Sequence, residues 1–124
     1  MFKMKLLIIV LFFVRFVLTQ DVVGFSQYMS KCICATDVNQ AYAYDWLNNY
    51  KLVNDPCFKC FLNCMAISVG IIDSQGNYYE DVLFKILPNL NKTAVDLCGD
   101  LSANERDPCQ KNFEITRCIQ ASIV

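Results

Sequence analysis

The side chains with the most chemistry to offer are eight cysteines, Cys32, Cys34, Cys57, Cys60, Cys64, Cys98, Cys109 and Cys118, in a chain that contains no histidine. Thiolates can act as nucleophiles, redox pairs or metal ligands, or they can be consumed as disulfides. Cys57-Phe58-Lys59-Cys60 is formally a C-x-x-C motif, and Asp55-Pro56 supplies the helix start that a thioredoxin-like centre would need. No strand–helix–strand pattern surrounds it. A zinc site from Cys57, Cys60 and Cys64 would have no histidine to complete a mixed ligand set. The missing histidine also removes the usual general base and the ordinary physiological pH switch. It excludes a secreted phospholipase, whose chemistry needs a His–Asp pair. An even cysteine count behind a secretory-type leader reads instead as a disulfide framework. The chain is expected to be no enzyme, with no catalytic residue, no metal and no cofactor.

The leader reading rests on residues 1–19: Lys3 and Lys5, the apolar run Leu6–Val14, then Arg15 and a small residue, Thr19. Cleavage is expected after Thr19, with Gly24 as the alternative, leaving 20–124 as one helical domain. Arg15 cuts the apolar run well below the roughly 20 residues of a membrane span. Without the leader, eight basic residues face twelve acidic ones, a net charge of −4. No basic stripe remains, so nucleic acid and anionic membrane are poor partners. A chain this small buries too little surface to dispense with cross-links, and one bridge closing a loop of some 30 residues adds roughly 3 kcal/mol in the chain-entropy picture. Asn91-Lys92-Thr93 is an N-glycosylation sequon.

The elements that must position these cysteines are helical. Asn54-Asp55-Pro56 and Arg106-Asp107-Pro108 each place Asp at a cap position and Pro at the first helical residue. The runs that follow, Cys57–Val69 and Cys109–Ser122, hold no internal Gly or Pro; Gly70 and the turn 73–77 end the first. Tyr79–Leu87 is a short amphipathic segment stopped by Pro88, Asn91 could cap another reaching Asp100, and Asp21–Lys31 and Val38–Asn48 are weaker candidates. Val69–Ile72 has strand character without an obvious partner. Cys60 and Cys64 lie one turn apart and share a face. Cys109 and Cys118 are nine residues apart, about 900° of rotation, and point in opposite directions. They cannot pair with each other on an intact helix, so the last helix must be tied to two different neighbours.

The gaps of 3, 33, 10 and 8 residues between the last five cysteines resemble those of the insect odorant-binding proteins of the pheromone and general odorant-binding family. The resemblance runs from about Gln27 to Ile119. Its other landmarks are Gly70-Ile71-Ile72-Asp73 followed by Gly76-Asn77, then Leu87-Pro88 and Asp107-Pro108-Cys109. It implies an all-α fold, a compact disulfide-stapled bundle of about six short helices around an apolar cavity. It also implies the pairs Cys60–Cys109 and Cys98–Cys118. The first cysteine stays open between Cys32 and Cys34, with 27 and 25 residues between each and Cys60; Thr36-Asp37-Val38, set beside the family's Thr-Gly-Val, favours Cys32–Cys64. Cys34 and Cys57 exceed the family's six and are expected to form a fourth bridge.

The resemblance carries ligand-pocket positions to Ala66, Ile71, Tyr78, Leu87, Leu90, Asn112 and Ile119, and helical phase adds Leu83, Phe84 and Phe113 as apolar wall. Plain core is the competing reading for all ten. Asn112 and Tyr78 are polar, and each would want a partner from a ligand, a backbone group or water. The tail 119–124 could fold over the cavity mouth as a lid or end as frayed chain. The expected function is a secreted, extracellular carrier for a small hydrophobic ligand, acting as a monomer or weak homodimer, with no membrane insertion and a membrane chemoreceptor as a further partner. The rivals are a non-olfactory carrier and a cystine-stapled interaction protein without a cavity. Any acid response would have to come from carboxylates such as Asp37, Asp100 or Glu114.

Overall fold

In the computed structural model, residues 27–123 can be described; the expected leader, both cleavage sites and the first residues of the Asp21–Lys31 segment lie outside them. Six helices and no sheet make up the described chain: α1 over residues 27–36, α2 Gln40–Asn49, α3 Pro56–Ser68, α4 Glu80–Ile86, α5 Lys92–Leu101 and α6 Pro108–Ile123. None of them is long and apolar enough to cross a membrane.

Local chemistry sets most of the boundaries. Asp55 accepts a hydrogen bond from the Phe58 amide at 2.9 Å, with Pro56 opening α3. Asp107 does the same for the Cys109 amide at 2.9 Å before α6. Asn39 and Asn91 cap α2 and α5 through the Ala41 and Thr93 amides, each at 2.9 Å. Such caps satisfy amides that the first helical turn leaves without partners. α3 stops at Val69, and Gly70 follows at φ +86°, a left-handed geometry that favours glycine. Asp37 holds φ +54° at the end of α1; aspartate is among the few side chains that tolerate this region.

The Val69–Ile72 stretch is not a strand. Ile72 forms a single antiparallel bridge with Tyr78 across the 73–77 turn. Asp73 organises that turn by accepting from the Gln75 and Asn77 amides at 2.9 Å, the Asn77 side chain at 3.0 Å and the Tyr79 hydroxyl at 3.1 Å. The Asn77 side chain, then its backbone amide, does most to hold the Asp73 carboxyl below its usual value. The C-terminal residues are not a frayed end as far as 123, because α6 continues through them.

Three disulfides fix the bundle: Cys32–Cys64 joins α1 to α3, Cys60–Cys109 joins α3 to α6, and Cys98–Cys118 joins α5 to α6. Cys109 and Cys118 thus reach different helices from opposite sides of α6. The expected fourth bridge is absent, and Cys34 and Cys57 are free and exposed. Helical phase explains the correction. Cys34 is two residues past Cys32, about 200° around α1, so the rotation that buries Cys32 against α3 turns Cys34 to solvent. Cys60 is committed to Cys109, which leaves the C-x-x-C motif with one thiol.

Two apolar clusters fill the interior. The first gathers Met29, Cys32, Val38, Ala43, Phe58, Phe61, Leu62, Met65 and Phe113 from α1, α2, α3 and α6. The second gathers Leu83, Val95, Cys98, Ile115 and Ile119 from α4, α5 and α6. Helix α6 serves both, since Phe113 and Ile115 are two residues apart and face opposite ways.

Candidate ligand-binding site

The ten expected pocket residues do not gather in one place. Phe113 belongs to the first cluster, 5% exposed, with Lys59 Nζ 5.0 Å and the Arg117 guanidinium 5.7 Å from its ring centre. Those cations cover the ring from outside. Leu83 and Ile119 belong to the second cluster, with Ile71, Phe84 and Leu90 packed against it. Ala66 is half-buried on α3, where its carbonyl accepts from the Ile71 amide at 3.0 Å and so anchors the chain leaving that helix.

Leu87 and Leu90 face a hollow larger than the groove at Tyr78. It has a volume of about 450 Å³, is open on one side, and is lined by Leu87, Pro88, Asn89, Leu90, Asn91 and Ser122. This is within the range typical of small-molecule sites. Its position follows from the chain: Pro88 cannot continue α4, and the short turn to Asn91 swings around to start α5 beside the end of α6. Leu90 lines the hollow and also packs against the second cluster, whose own members do not reach the hollow's lining. Lys92 ties the flanking helices on the outside, 3.5 Å from Glu80 of α4 and 3.1 Å from Asp96 of α5.

Tyr78 and Asn112 meet at a second, smaller groove of about 110 Å³ between α3, the 73–78 turn and α6, with Asn63, Ile67, Ile72, Lys111 and Ile115 among its walls. The Asn112 amide is buried and donates to the Leu62 carbonyl at 3.3 Å, so a backbone group provides its partner. Burial pushes the Tyr78 phenol up to about 12; the residue is still 37% exposed, so water moderates that effect.

Sequence reasoning passed over Pro88, Asn89 and Ser122 as lining residues. The available signal was the Leu-Pro-Asn-Leu turn itself, where a helix-stopping Pro is flanked by two leucines. It also passed over Trp46, which packs edge-on against Phe61 with ring centres 5.9 Å apart and whose buried indole N–H has no hydrogen-bond partner among the described residues.

The arrangement offers an open hollow on one flank, with five of its six lining residues exposed and Leu90 half-buried. The free thiols stand apart from it, on α1 and on the first turn of α3. The PBP/GOBP family matches residues 17–122. General odorant-binding protein 57e of Drosophila melanogaster is 25% identical over 107 residues, covering 83% of this chain and 79% of that protein. General odorant-binding protein 69a of the same organism is 32% identical over 92 residues, covering 71% of this chain and 61% of that protein. General odorant-binding protein 57c is 24% identical over 106 residues, covering 78% and 70%.

Proposed function

The chain belongs to the PBP/GOBP family, and from that premise we propose that it is a secreted carrier that holds one small hydrophobic molecule non-covalently and moves it through aqueous fluid. The family match over 17–122 is the observation that carries this reading. The hollow of about 450 Å³ beside the α4–α5 turn offers the ligand a place, with Leu87 and Leu90 as apolar wall and Asn89, Asn91 and Ser122 at the rim. Binding there needs no proton transfer and no bond making. Burying about 300 Å² of apolar ligand surface is worth some 7 kcal/mol before the cost of association. A framework already fixed by three bridges keeps that cost low, and micromolar affinity is the expected result.

A fluorescent apolar probe such as 1-aminoanthracene tests the proposal. Saturable binding is expected, displaced by long-chain alcohols or esters and weakened about tenfold by Leu90→Asp, which would place a charge against the apolar wall. Native mass spectrometry of the protein secreted from its own tissue should find an apolar molecule bound. One observation favours a second reading, an interaction protein with a filled interior: six of the ten expected pocket residues belong to or pack against the two apolar clusters. Absence of saturable probe binding would decide for that reading.

A further inference from the structure

We propose that Asn91 carries an N-linked glycan and that this sugar stands at the mouth of the ligand hollow, where it slows entry and exit. The gating half of the proposal rests on the carrier reading above; the modification half does not.

Three observations meet at this residue. Asn91-Lys92-Thr93 is an acceptor triplet, and all three residues are exposed. The Asn91 side chain is held in a way that suits modification. Its Oδ1 accepts from the Thr93 amide at 2.9 Å as the cap of α5, while no bond of its Nδ2 occurs among the described residues. A glycan attaches through Nδ2 and leaves Oδ1 in place, so the cap and the sugar do not compete. Finally, Asn91 lines the hollow of about 450 Å³ together with Leu87, Pro88, Asn89, Leu90 and Ser122. A saccharide on Nδ2 therefore begins at the edge of that opening, with α5 capped behind it.

The transfer balances as an ordinary displacement. The Nδ2–C1 bond to the first sugar forms as C1 leaves the diphosphate oxygen of a lipid-linked oligosaccharide. The lipid diphosphate departs, and the amide proton passes to a base of the transferase.

The full chain, secreted with its own leader from insect cells, provides the test. Intact mass should show a saccharide on the wild type that a peptide N-glycosidase removes. It should be missing from Thr93→Ala, which keeps the Asn91 cap, and from Asn91→Asp, which keeps a capping oxygen. Matching circular dichroism should show that both variants fold. Stopped-flow mixing of 1-aminoanthracene with Thr93→Ala, whose substitution lies outside the hollow's lining, should then show association and dissociation each about threefold or more faster than with the glycosylated wild type, with affinity little changed. An unmodified wild-type mass would overturn the site. Equal rates with and without the sugar would overturn the gate. Glycosylated protein that binds no probe in either form would overturn the gate and the carrier reading together, while the mass upholds the modified residue.

Discussion

The two apolar clusters are built from different materials. The first contains Phe58, Phe61 and Met29, all essentially without exposure, backed by Trp46 and covered by Phe113. The second is aliphatic apart from a half-buried Phe84, and its members Leu83, Val95 and Ile119 keep 4–8% exposure. The first half is aromatic and closed. The larger hollow opens beside the second, with Leu90 shared between them. Large flat rings fill the space between three helices at low conformational cost, whereas short aliphatic chains around a seven-residue α4 leave a margin unfilled. The closed aromatic half thus carries more of the stability, the proposed ligand hollow lies beside the other half, and α6 with its two bridges couples them.

Phe61→Ala tests that division most severely. Removing a ring with no exposure should cost about 3–5 kcal/mol, read by urea denaturation, because its neighbours cannot collapse fully into the space. The fraction that remains folded should bind the apolar probe as the wild type does. Loss of probe affinity in that folded fraction would break the division between a structural and a binding half.

The paired change Cys98→Ala with Cys118→Ala acts on the other side. The bridge spans 20 residues, so its loss should cost about 3 kcal/mol, slightly less than the Phe61 truncation. Here probe binding should suffer as well, since α5 and α6 no longer hold the two edges of the hollow at a fixed spacing. Unchanged affinity would place the ligand in the aromatic half or in the smaller groove. A milder effect is expected from Asp55→Ala, which removes the α3 cap at the edge of the first half. It should lower stability by about 1 kcal/mol in the same urea measurement and leave the probe untouched.

That cap was legible from the chain, and the reason is locality. Asp55-Pro56, Asp107-Pro108 and Asn91 act on amides within two or three residues, so type and spacing suffice to place α3, α5 and α6 within a residue or two. Helical phase equally foretold that Cys109 and Cys118 must part company. Applied to Cys32 and Cys34, the same phase argues against a fourth bridge, because residues two apart on a helix cannot both face α3. The candidate pocket was less legible. Whether Leu83 or Ile119 is core or wall depends on how far α4 stands from α6, and that distance is set by the turn through Pro88 and by the bridges jointly. Nor does sequence show that Lys59 and Arg117 would converge on Phe113 from different helices.

The smallest effect expected is that of mild acid, and it tests both halves at once. The groups whose titration the fold perturbs lie on the Asp73 turn and on the α4–α5 edge. The Asp73 carboxyl is held low by the Asn77 side chain and the surrounding amides. Its contribution is therefore present above the ordinary carboxylate value near 4 and is lost as pH falls through the still lower folded value. Lys92 is raised by its hydrogen bond to Asp96 and by the charges of Asp96 and Glu80, so its share is complete at neutral pH and disappears only as pH climbs through its folded value. Tyr78, pushed up to about 12 by burial, likewise loses its contribution only in strong alkali. Each window lies outside the interval from about pH 7.5 to 6, where histidine normally acts and where this chain has none. Probe affinity and urea midpoint should both stay flat across it, affinity to within about twofold. A tenfold fall in affinity with a steady midpoint would mean that a carboxylate near the hollow titrates in this interval in the free protein and is lowered when ligand binds. A fall in both would mean that the coupling through α6 responds to acid, and the separation of a rigid half from an open one would then fail.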